Sequence, residues 1–284
     1  MRVLITGANG QLGSELKELL SPHHKVYAYD LDLDVTDREH IISEVQKVKP
    51  EAVIHCAAYT DVDGCELDPE RATLVNDVGT GHVVLACQQV NAIMVYVSTD
   101  FVFDGKTDRP YNETDTPNPI NVYGKTKLAG EKRVVNGFDR FFIVRTSWLF
   151  GLHGENFVKT ILRSANQKGE LTIVDNQTGS PTYARDLAGK MVELVNTDKY
   201  GTYHISNSGQ TTWYSFAHDI LDAAGLDGVE VSATTSERLN RPAKRPSYSV
   251  LANGALMSSG LAPLRNYRNA LSDLLNVLSR HNFD

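Results

Sequence analysis

The sequence predicts an α/β protein with a Rossmann-type, doubly wound parallel sheet followed by a smaller C-terminal α/β lobe. Short β-branched runs alternate with segments of helical periodicity through the first half of the chain, as expected for a parallel sheet covered by helices. The first strand also runs directly into a glycine-rich turn and a helix, the connection at which such sheets bind ligands.

Hydrophobic periodicity defines the elements of this sheet. Residues 2–6 form an apolar, β-branched run, and the leucines between 12 and 20 then recur at helical spacing. Residues 25–29 predict a second strand, and Thr36-Asp-Arg-Glu39 has the form of a capping box that opens a helix. The next predicted elements are strand 52–55, helix 69–90, strand 94–98, helix 123–135 and strand 141–145.

The alternation becomes less regular after Trp148. The predicted elements there are helix 156–167, strand 171–174, helix 184–196, strand 202–206, helix 213–224 and helix 267–280. We therefore predict a dinucleotide-binding domain over residues 1–148 and a mainly substrate-binding lobe over residues 149–284. Segments within 170–206 are expected to return to the first sheet.

Composition limits the classes of function. With 41% hydrophobic and 22% charged residues, the chain has the composition of a folded globular protein. A net charge of −7 disfavours nucleic acid as a partner, because phosphate binding requires a basic face. Three cysteines without CxxC or Cys/His spacing predict neither a disulfide framework nor a zinc site. We expect a cytoplasmic protein, since neither a signal peptide nor a membrane-spanning run is evident.

The run Gly7-Ala-Asn-Gly10-Gln-Leu-Gly13 lies where the first strand meets the first helix. Small residues there let a pyrophosphate approach the backbone, and the helix N-terminus faces its charge. The spacing is GxxGxxG rather than GxGxxG, and a tight turn without a ligand is the alternative. Asp30, at the end of the second strand, favours NADH, but the acidic run from Asp30 to Asp34 leaves NADPH open.

Tyr123 is the one tyrosine among twelve that has a lysine four residues later, Lys127. Positions i and i+4 of a helix share a face, so both side chains can address one substrate atom. A tyrosine pKa of about 10 must fall by about 3 units for proton exchange near neutrality, and Lys127 is the predicted cation. Thr99, at the end of a strand, is predicted to hold a carbonyl oxygen, with local backbone bonding as the alternative.

Longer segments carry a resemblance that covers almost the whole chain. They are Ala57-Ala-Tyr-Thr60, Ser98-Thr-Asp-Phe-Val-Phe-Asp-Gly105, Asn118-Pro-Ile-Asn-Val-Tyr123, Arg145-Thr-Ser-Trp148, Gly154-Glu-Asn-Phe-Val-Lys159, Asp175-Asn-Gln-Thr-Gly-Ser-Pro-Thr182, Tyr200-Gly-Thr-Tyr-His204 and Arg245-Pro246. In this order they resemble the dTDP-4-dehydrorhamnose reductases of the extended short-chain dehydrogenase/reductases. The resemblance implies reduction of dTDP-4-dehydro-β-L-rhamnose at C4 to dTDP-L-rhamnose, by NADPH or NADH, for cell-surface polysaccharide synthesis.

The resemblance also implies roles for individual residues. Tyr123 would protonate the developing alkoxide, Thr99 would hold its oxygen, and Lys127 would bind the nicotinamide ribose. Besides Tyr123 and Lys127, the residues implied near the cofactor are Gly7, Asn9, Gly10, Gln11, Leu12, Gly13, Asp30, Asp34, Ala57, Ala58, Tyr59 and Asn76. Those implied near the substrate are Thr99, Asp100, Phe101, Tyr123, Trp148, Asn156 and Arg245.

Several of these assignments have structural alternatives. Trp148 is expected against the sugar nucleotide, with an ordinary core tryptophan as the alternative. Arg241, Lys244 and Arg245 form a basic cluster suited to a diphosphate, or else a solvated loop. Some members of the resembled family hold a divalent cation with acidic side chains. Glu15 fits such a site, but Arg185 stands where another acid is expected, so we predict no bound metal.

The sequence leaves two other functions and the oligomeric state open. The same fold serves nucleotide-sugar epimerases and reductases that give the other C4 configuration, and hence 6-deoxytalose. Relatives of this family also bind nicotinamide cofactor as a non-catalytic regulatory subunit of methionine adenosyltransferase. Retention of Thr99, Tyr123 and Lys127 favours an enzyme. We expect a monomer or a homodimer without a membrane partner.

Overall fold

A computed structural model of the chain describes residues 1–137 and 139–280. Its strands are β1 Arg2–Thr6, β2 Lys25–Tyr29, β3 Ala52–His55, β4 Ile93–Thr99, β5 Phe141–Thr146, β6 Leu149–Phe150, β7 Glu170–Val174, β8 Thr178–Gly179, β9 Thr182–Tyr183, β10 Gly201–His204, β11 Asn207–Ser208, β12 Thr211–Thr212, β13 Glu230–Thr234 and β14 Leu264–Asn266. Its α-helices are α1 Gln11–Leu20, α2 Arg38–Val48, α3 Val62–Leu67, α4 Pro69–Thr73, α5 Thr80–Val90, α6 Val122–Gly137, α7 Phe157–Lys168, α8 Ala184–Val195, α9 Trp213–Ala224, α10 Ser236–Leu239, α11 Gly254–Ser258 and α12 Tyr267–Arg280. A π-helical turn spans Leu74–Gly79 and a 3₁₀ turn spans Asp100–Val102.

Six strands of the described chain form one parallel sheet in the order β10-β5-β4-β3-β1-β2. The strand order reverses between β1 and β3, so their connections leave toward opposite sides of the sheet. The carboxyl ends of these two strands therefore open a crevice of the kind in which doubly wound sheets bind ligands. The predicted Rossmann-type parallel sheet is confirmed.

Alternation along the strands gives this sheet two buried faces. Val3 and Ile5 pack on the side that α1 and α8 cover, whereas Leu4 packs on the side that α2 and α5 cover. Each fully buried aliphatic side chain contributes about 1.5–3 kcal/mol to folding. The sheet therefore holds the carboxyl ends of its strands in fixed relative positions.

Helix α2 starts one residue later than the capping box predicts. Its N-cap is Asp37, whose carboxylate accepts the backbone N–H of His40 at 3.0 Å. The backbone N–H of Thr36 is itself bonded by the Asp34 carboxylate at 2.8 Å, which fixes the preceding turn. The prediction of a Thr36–Glu39 box was wrong because a charged cap at Asp37 satisfies the same orphan N–H groups.

The chain after residue 148 builds a second hydrophobic cluster and also contributes to the first sheet. In the cluster, Phe150, Phe216 and Tyr267 pack between α7, α9 and α12. Strand β10 pairs with β5, and α8 packs against α1. The division into two domains at residue 148 stays a prediction, and the last four positions of the predicted second lobe lie outside the described residues. No helix within 1–137 or 139–280 is both long and apolar enough to cross a membrane.

Candidate active site

The turn between β1 and α1 depends on glycine for close backbone approach. Gly7 has φ +67°, and a Cβ there would lie 2.6 Å from the backbone nitrogen of Ala57. A Cβ on Gly13 would lie 2.2 Å from the carbonyl oxygen of Gly7, closer than any real contact. The turn is therefore pressed against both the end of β3 and the start of its own helix.

The N-terminus of α1 offers backbone N–H groups rather than side-chain caps. Its N-cap, Gly10, makes no side-chain cap, and the first turn of α1 carries no acidic residue. The Oε1 atom of Gln11 is buried without a hydrogen-bond partner in the described chain, while Nε2 donates to the carbonyl of Glu155 at 3.2 Å. Unsatisfied donors at a helix start fit the pyrophosphate of a dinucleotide.

A cavity of about 640 Å³ opens beside this helix N-terminus. Its size is typical of a small-molecule or cofactor site. The predicted residues that line it are Gly7, Gly10, Gln11, Leu12, Gly13, Asp30, Asp34, Ala57, Ala58, Thr99, Tyr123 and Lys127. The structure thus brings the glycine turn, the acidic end of β2 and the proton-transfer candidates to one cavity.

Three residues predicted near the cofactor support this cavity without lining it. The amide of Asn9 donates to the Asp30 carboxylate at 3.3 Å. The buried side chain of Asn76 accepts the backbone N–H of Tyr59 at 2.8 Å and donates to its carbonyl at 3.1 Å. Asn76 therefore holds the loop after β3 in place. Arg71, which the sequence analysis missed, lines the cavity and lies 4.8 Å from the centre of the Tyr59 ring.

Tyr123, Lys127 and Thr99 lie on the sheet side of the cavity. Tyr123 and Lys127 are one turn apart on α6, and Thr99 is the last residue of β4. A Cβ on Gly124 would lie 2.1 Å from the carbonyl oxygen of Phe101, so glycine lets the start of α6 approach the end of β4. The Phe101 ring meets the Tyr123 ring edge-on at 5.8 Å between centroids.

The pKa of Tyr123 is raised rather than lowered. Burial is the main cause and the charge of Asp100 adds to it, while a hydrogen bond with Thr99 acts in the opposite direction. Burial lowers the pKa of Lys127 to about 7, and the charge of Glu131 acts against that change. The predicted lowering of the Tyr123 pKa by Lys127 was therefore wrong, because loss of water outweighs other influences on both groups.

Thr99 and Asp100 form a buried polar turn. The Thr99 hydroxyl donates to the Asp100 carboxylate at 3.1 Å and accepts the backbone N–H of Phe101 at 3.1 Å. Thr99 thus satisfies local backbone and also lines the cavity. Burial raises the pKa of Asp100 to about 7, and its Oδ2 has no partner in the described chain. Asp100 and Phe101 lie behind the cavity rather than in its wall.

A second cavity of about 550 Å³ lies beside the start of α6. Residues 241 and 243–245 form one wall of it, and Trp213 lies in another. The guanidinium of Arg245 donates to both carboxylate oxygens of Asp63, at 3.0 and 2.9 Å. Asn121, two residues before Tyr123, donates to the carbonyl of Lys244 at 2.7 Å. Arg245 is therefore anchored, whereas the side chains of Arg241 and Lys244 are exposed, and sequence analysis had no signal for Asp63.

Trp148 and Asn156 lie outside both cavities. Trp148 has φ +45°, and its ring stacks on Trp213 with centroids 3.5 Å apart. It therefore supports a wall of the second cavity from behind. Asn156 is the N-cap of α7, accepting the backbone N–H of Lys159 at 3.2 Å, and it donates to the carbonyl of Gly151 at 2.8 Å. The structure does not bring Asn156 to the predicted substrate position.

Glu15, Glu18 and His153 form an acidic cluster away from these cavities. Their ligand atoms lie within 4.8 Å of one another, which is compatible with a cation. Arg185 already pairs with Glu15 at 3.2 Å and approaches Glu18 at 3.7 Å. The Arg185 guanidinium thus supplies a positive charge to this cluster.

The fold and the cavities define a Rossmann-type nicotinamide-dependent oxidoreductase. Residues 1–280 match the family model described as RmlD substrate binding domain. The chain belongs to the dTDP-4-dehydrorhamnose reductase family.

Individual relatives match over nearly their whole length. The chain is 41% identical to a dTDP-4-dehydrorhamnose reductase of Streptomyces griseus, over 98% of this chain and 94% of that protein. It is 37% identical to a dTDP-4-keto-6-deoxy-D-glucose reductase of Streptomyces niveus, over 98% of each chain. A crystal structure of dTDP-4-dehydrorhamnose reductase from Bacillus anthracis in complex with NADP superimposes with a TM-score of 0.95, at 41% identity, covering 97% of this chain and 99% of that one.

Proposed function

We propose that this protein reduces the 4-keto group of dTDP-4-dehydro-β-L-rhamnose to give dTDP-L-rhamnose, with NADPH or NADH as the reductant. The main support is that Thr99, Tyr123 and Lys127 line the same cavity as the glycine turn. The second cavity, whose basic residues include Lys244 bonded to Asn121 just before α6, supports a diphosphate-linked substrate. A bound nicotinamide cofactor supplies the hydride.

The proposed division of labour follows from the state of each side chain. The buried Tyr123 phenol is protonated at neutral pH, the form that a general acid needs, and the alkoxide that develops at C4 is a stronger base than the phenolate left behind. The Thr99 hydroxyl donates a hydrogen bond to the carbonyl oxygen without adding charge. The Lys127 ammonium, buried beside the cavity, donates hydrogen bonds to the cofactor ribose and attracts negative charge that develops near Tyr123.

A coupled reduction tests this proposal. The protein is incubated with dTDP-4-dehydro-6-deoxyglucose, a 3,5-epimerase and either NADPH or NADH. We expect cofactor consumption that requires the epimerase, and a rhamnose product by NMR. Sugar interconversion without net cofactor consumption would instead identify an epimerase, and a talose product would identify the opposite C4 outcome.

A second candidate keeps the chemistry and changes the sugar. The relative from Streptomyces niveus is named as a dTDP-4-keto-6-deoxy-D-glucose reductase and is 37% identical to this chain. Reduction that proceeds equally well without the 3,5-epimerase would favour this candidate. A purely regulatory subunit would consume no cofactor under either condition.

We also propose that the protein works in the cytoplasm as a monomer or a homodimer. Cys56, Cys65 and Cys87 are free thiols, and burial raises the pKa of each one, to about 12, 11 and 12 respectively. Unpaired thiols suit a reducing compartment. Sedimentation equilibrium of the purified protein distinguishes the two assemblies.

A further inference from the structure

A buried chain of polar groups continues from the proton-transfer residues into the sheet. Tyr123, Lys127 and Glu131 occupy positions i, i+4 and i+8 of α6 and therefore share one helix face. Lys127 is 3% exposed, Glu131 4% and its partner Arg145 5%. Charged side chains are rarely buried this completely unless they are paired.

Both oxygens of the Glu131 carboxylate are fixed. Oε1 accepts the Ser98 hydroxyl at 2.5 Å and Nε of Arg145 at 2.9 Å. Oε2 accepts Nη2 of Arg145 at 2.7 Å. Ser98 precedes Thr99 on β4, so the Glu131 carboxylate is hydrogen-bonded to the strand end that also carries the Thr99 hydroxyl. Parallel, charge-assisted bonds of this kind fix orientation as well as charge.

The far end of the chain fixes Arg145. Its Nη1 lies 3.3 Å from Nε2 of His204, whose Nδ1 lies 2.9 Å from the carbonyl oxygen of Tyr111. Burial lowers the pKa of His204 to about 3, so the imidazole is neutral. Nδ1 therefore donates to the carbonyl, and Nε2 accepts from Arg145. The network holds one cation and one anion, and Glu131 lies one helical turn from Lys127 on the same face of α6.

The other titratable groups around Lys127 are neutral near pH 7. Burial lowers the pKa of His55, the last residue of β3, to about 3, and raises the pKa of Cys56 to about 12. Burial also raises the pKa of Tyr96 on β4, whose ring centre lies 4.1 Å from the Lys127 ammonium. Tyr123 on α6 is protonated for the same reason. Among these neighbours, Glu131 carries the charge.

A gain in folding stability does not by itself explain why the ion pair between Glu131 and Arg145 is buried. A buried pair recovers little net free energy, because desolvation offsets the attraction. The Glu131 carboxylate also acts on the buried Lys127 ammonium, since charges interact strongly away from water. Burial by itself drives Lys127 toward its neutral form, and the charge of Glu131 opposes that change.

We propose that Glu131 is a positioning residue for the reduction: held by Ser98 and Arg145, its carboxylate favours the protonated form of Lys127 at the cofactor side of the cavity. The proposal rests on the proposed function for its kinetic consequence, but it also applies to cofactor binding alone. Arg145 and His204 act through Glu131 by fixing where its charge lies.

Glu131→Gln tests the proposal because it removes the charge and keeps the shape. Two readouts are measured between pH 6 and 9: kcat/KM for sugar reduction, and the Kd for NADPH by fluorescence titration without sugar. Loss of the anion lowers the pKa of Lys127, so the alkaline limb of both profiles should move down by about 1 pH unit. At pH 8 we expect about a tenfold loss in each readout, shrinking toward pH 6. Glu131→Asp should restore most of the wild-type profile.

Two further variants separate charge from folding. Asp186→Asn on α8 breaks a similar bidentate pair, with Arg265 at 2.8 and 2.9 Å, and should lower the melting temperature without moving either profile. The double variant Glu131→Gln/Arg145→Gln leaves neither charge of that ion pair unpaired, so it tests the loss of the Glu131 anion if the single variant fails to fold. An unmoved alkaline limb in a folded variant would overturn the proposal. Failure of the wild type to reduce the sugar would overturn the proposed function, while the NADPH profile still tests Glu131.

Discussion

The two cavities beside α6 are built by different means. The first cavity, proposed for the cofactor and hereafter the cofactor cavity, is shaped by backbone, since Gly7 and Gly13 let a strand, a turn and a helix approach too closely for side chains. The second cavity is shaped by side-chain pairs, such as Arg245 with Asp63 and Trp148 with Trp213. Close backbone contacts tolerate few substitutions, whereas a pair of side chains can be replaced by another pair. The first construction suits a common cofactor, and the second suits a substrate that differs between relatives.

Tyr123→Phe tests the proposed general acid in the first cavity and carries the largest expected effect. Removing the phenolic proton should lower kcat by about 10²-fold or more, while the Kd for NADPH changes little. Steady-state kinetics and fluorescence titration measure these quantities. Tyr200→Phe, which removes a phenol bonded to Arg140 at 3.3 Å on the outer part of the sheet, is the control. Equal turnover of Tyr123→Phe and wild type would exclude Tyr123 as the acid.

Gly13→Ala tests the backbone-built cavity. The new Cβ would lie 2.2 Å from the Gly7 carbonyl oxygen, so the turn must move and the helix N-terminus moves with it. We expect the Kd for NADPH to rise by at least about tenfold, with a stability loss of about 1–3 kcal/mol. Gly189→Ala is the matched control, because a Cβ there meets nothing within 4 Å. This control should be neutral or stabilising by up to about 1 kcal/mol.

Arg245→Gln tests the wall built from side chains. Loss of the pair with Asp63 releases residues 243–245 and removes a cation from the second cavity. We expect KM for the sugar nucleotide to rise by about tenfold, with the Kd for NADPH unchanged. Arg133→Gln breaks an exposed pair with Asp77 and should change neither quantity. A parallel rise in the NADPH Kd would show that the two cavities are not independent.

Asp30→Asn carries the smallest expected effect and concerns cofactor choice. Asp30 and Arg71 both line the cofactor cavity, and their charges act in opposite directions on a ribose 2′-phosphate. Removing the carboxylate should shift the ratio of kcat/KM for NADPH over NADH upward by a few-fold, which is less than about 1 kcal/mol. If the ratio of kcat/KM for NADPH over NADH stays constant, Asp30 does not contribute to the preference between the two cofactors.

The same contrast explains which parts of the molecule the sequence predicts. Strand periodicity and the glycine spacing are local signals, so the sheet and most of the cofactor cavity follow from them. The pair between Arg245 and Asp63 joins residues far apart in the chain and leaves no local signal. The cap of α2 at Asp37 was misjudged because Thr36 and Asp37 compete for the same helix end. Glu131 was within reach, since it continues the helix face of Tyr123 and Lys127.

Strand β10 belongs to the first sheet although it comes late in the chain, and this limits where the chain can be cut into fragments that fold. This strand pairs with β5 only after residues 147–200 have passed through the second cluster and α8. A fragment that ends at residue 148 would leave the hydrogen-bonding edge of β5 open and would lose His204 from the end of the buried polar network. An unpaired strand edge can pair with other chains. We therefore expect the nascent first half of the protein to remain prone to aggregation until β10 has been synthesised and has paired with β5.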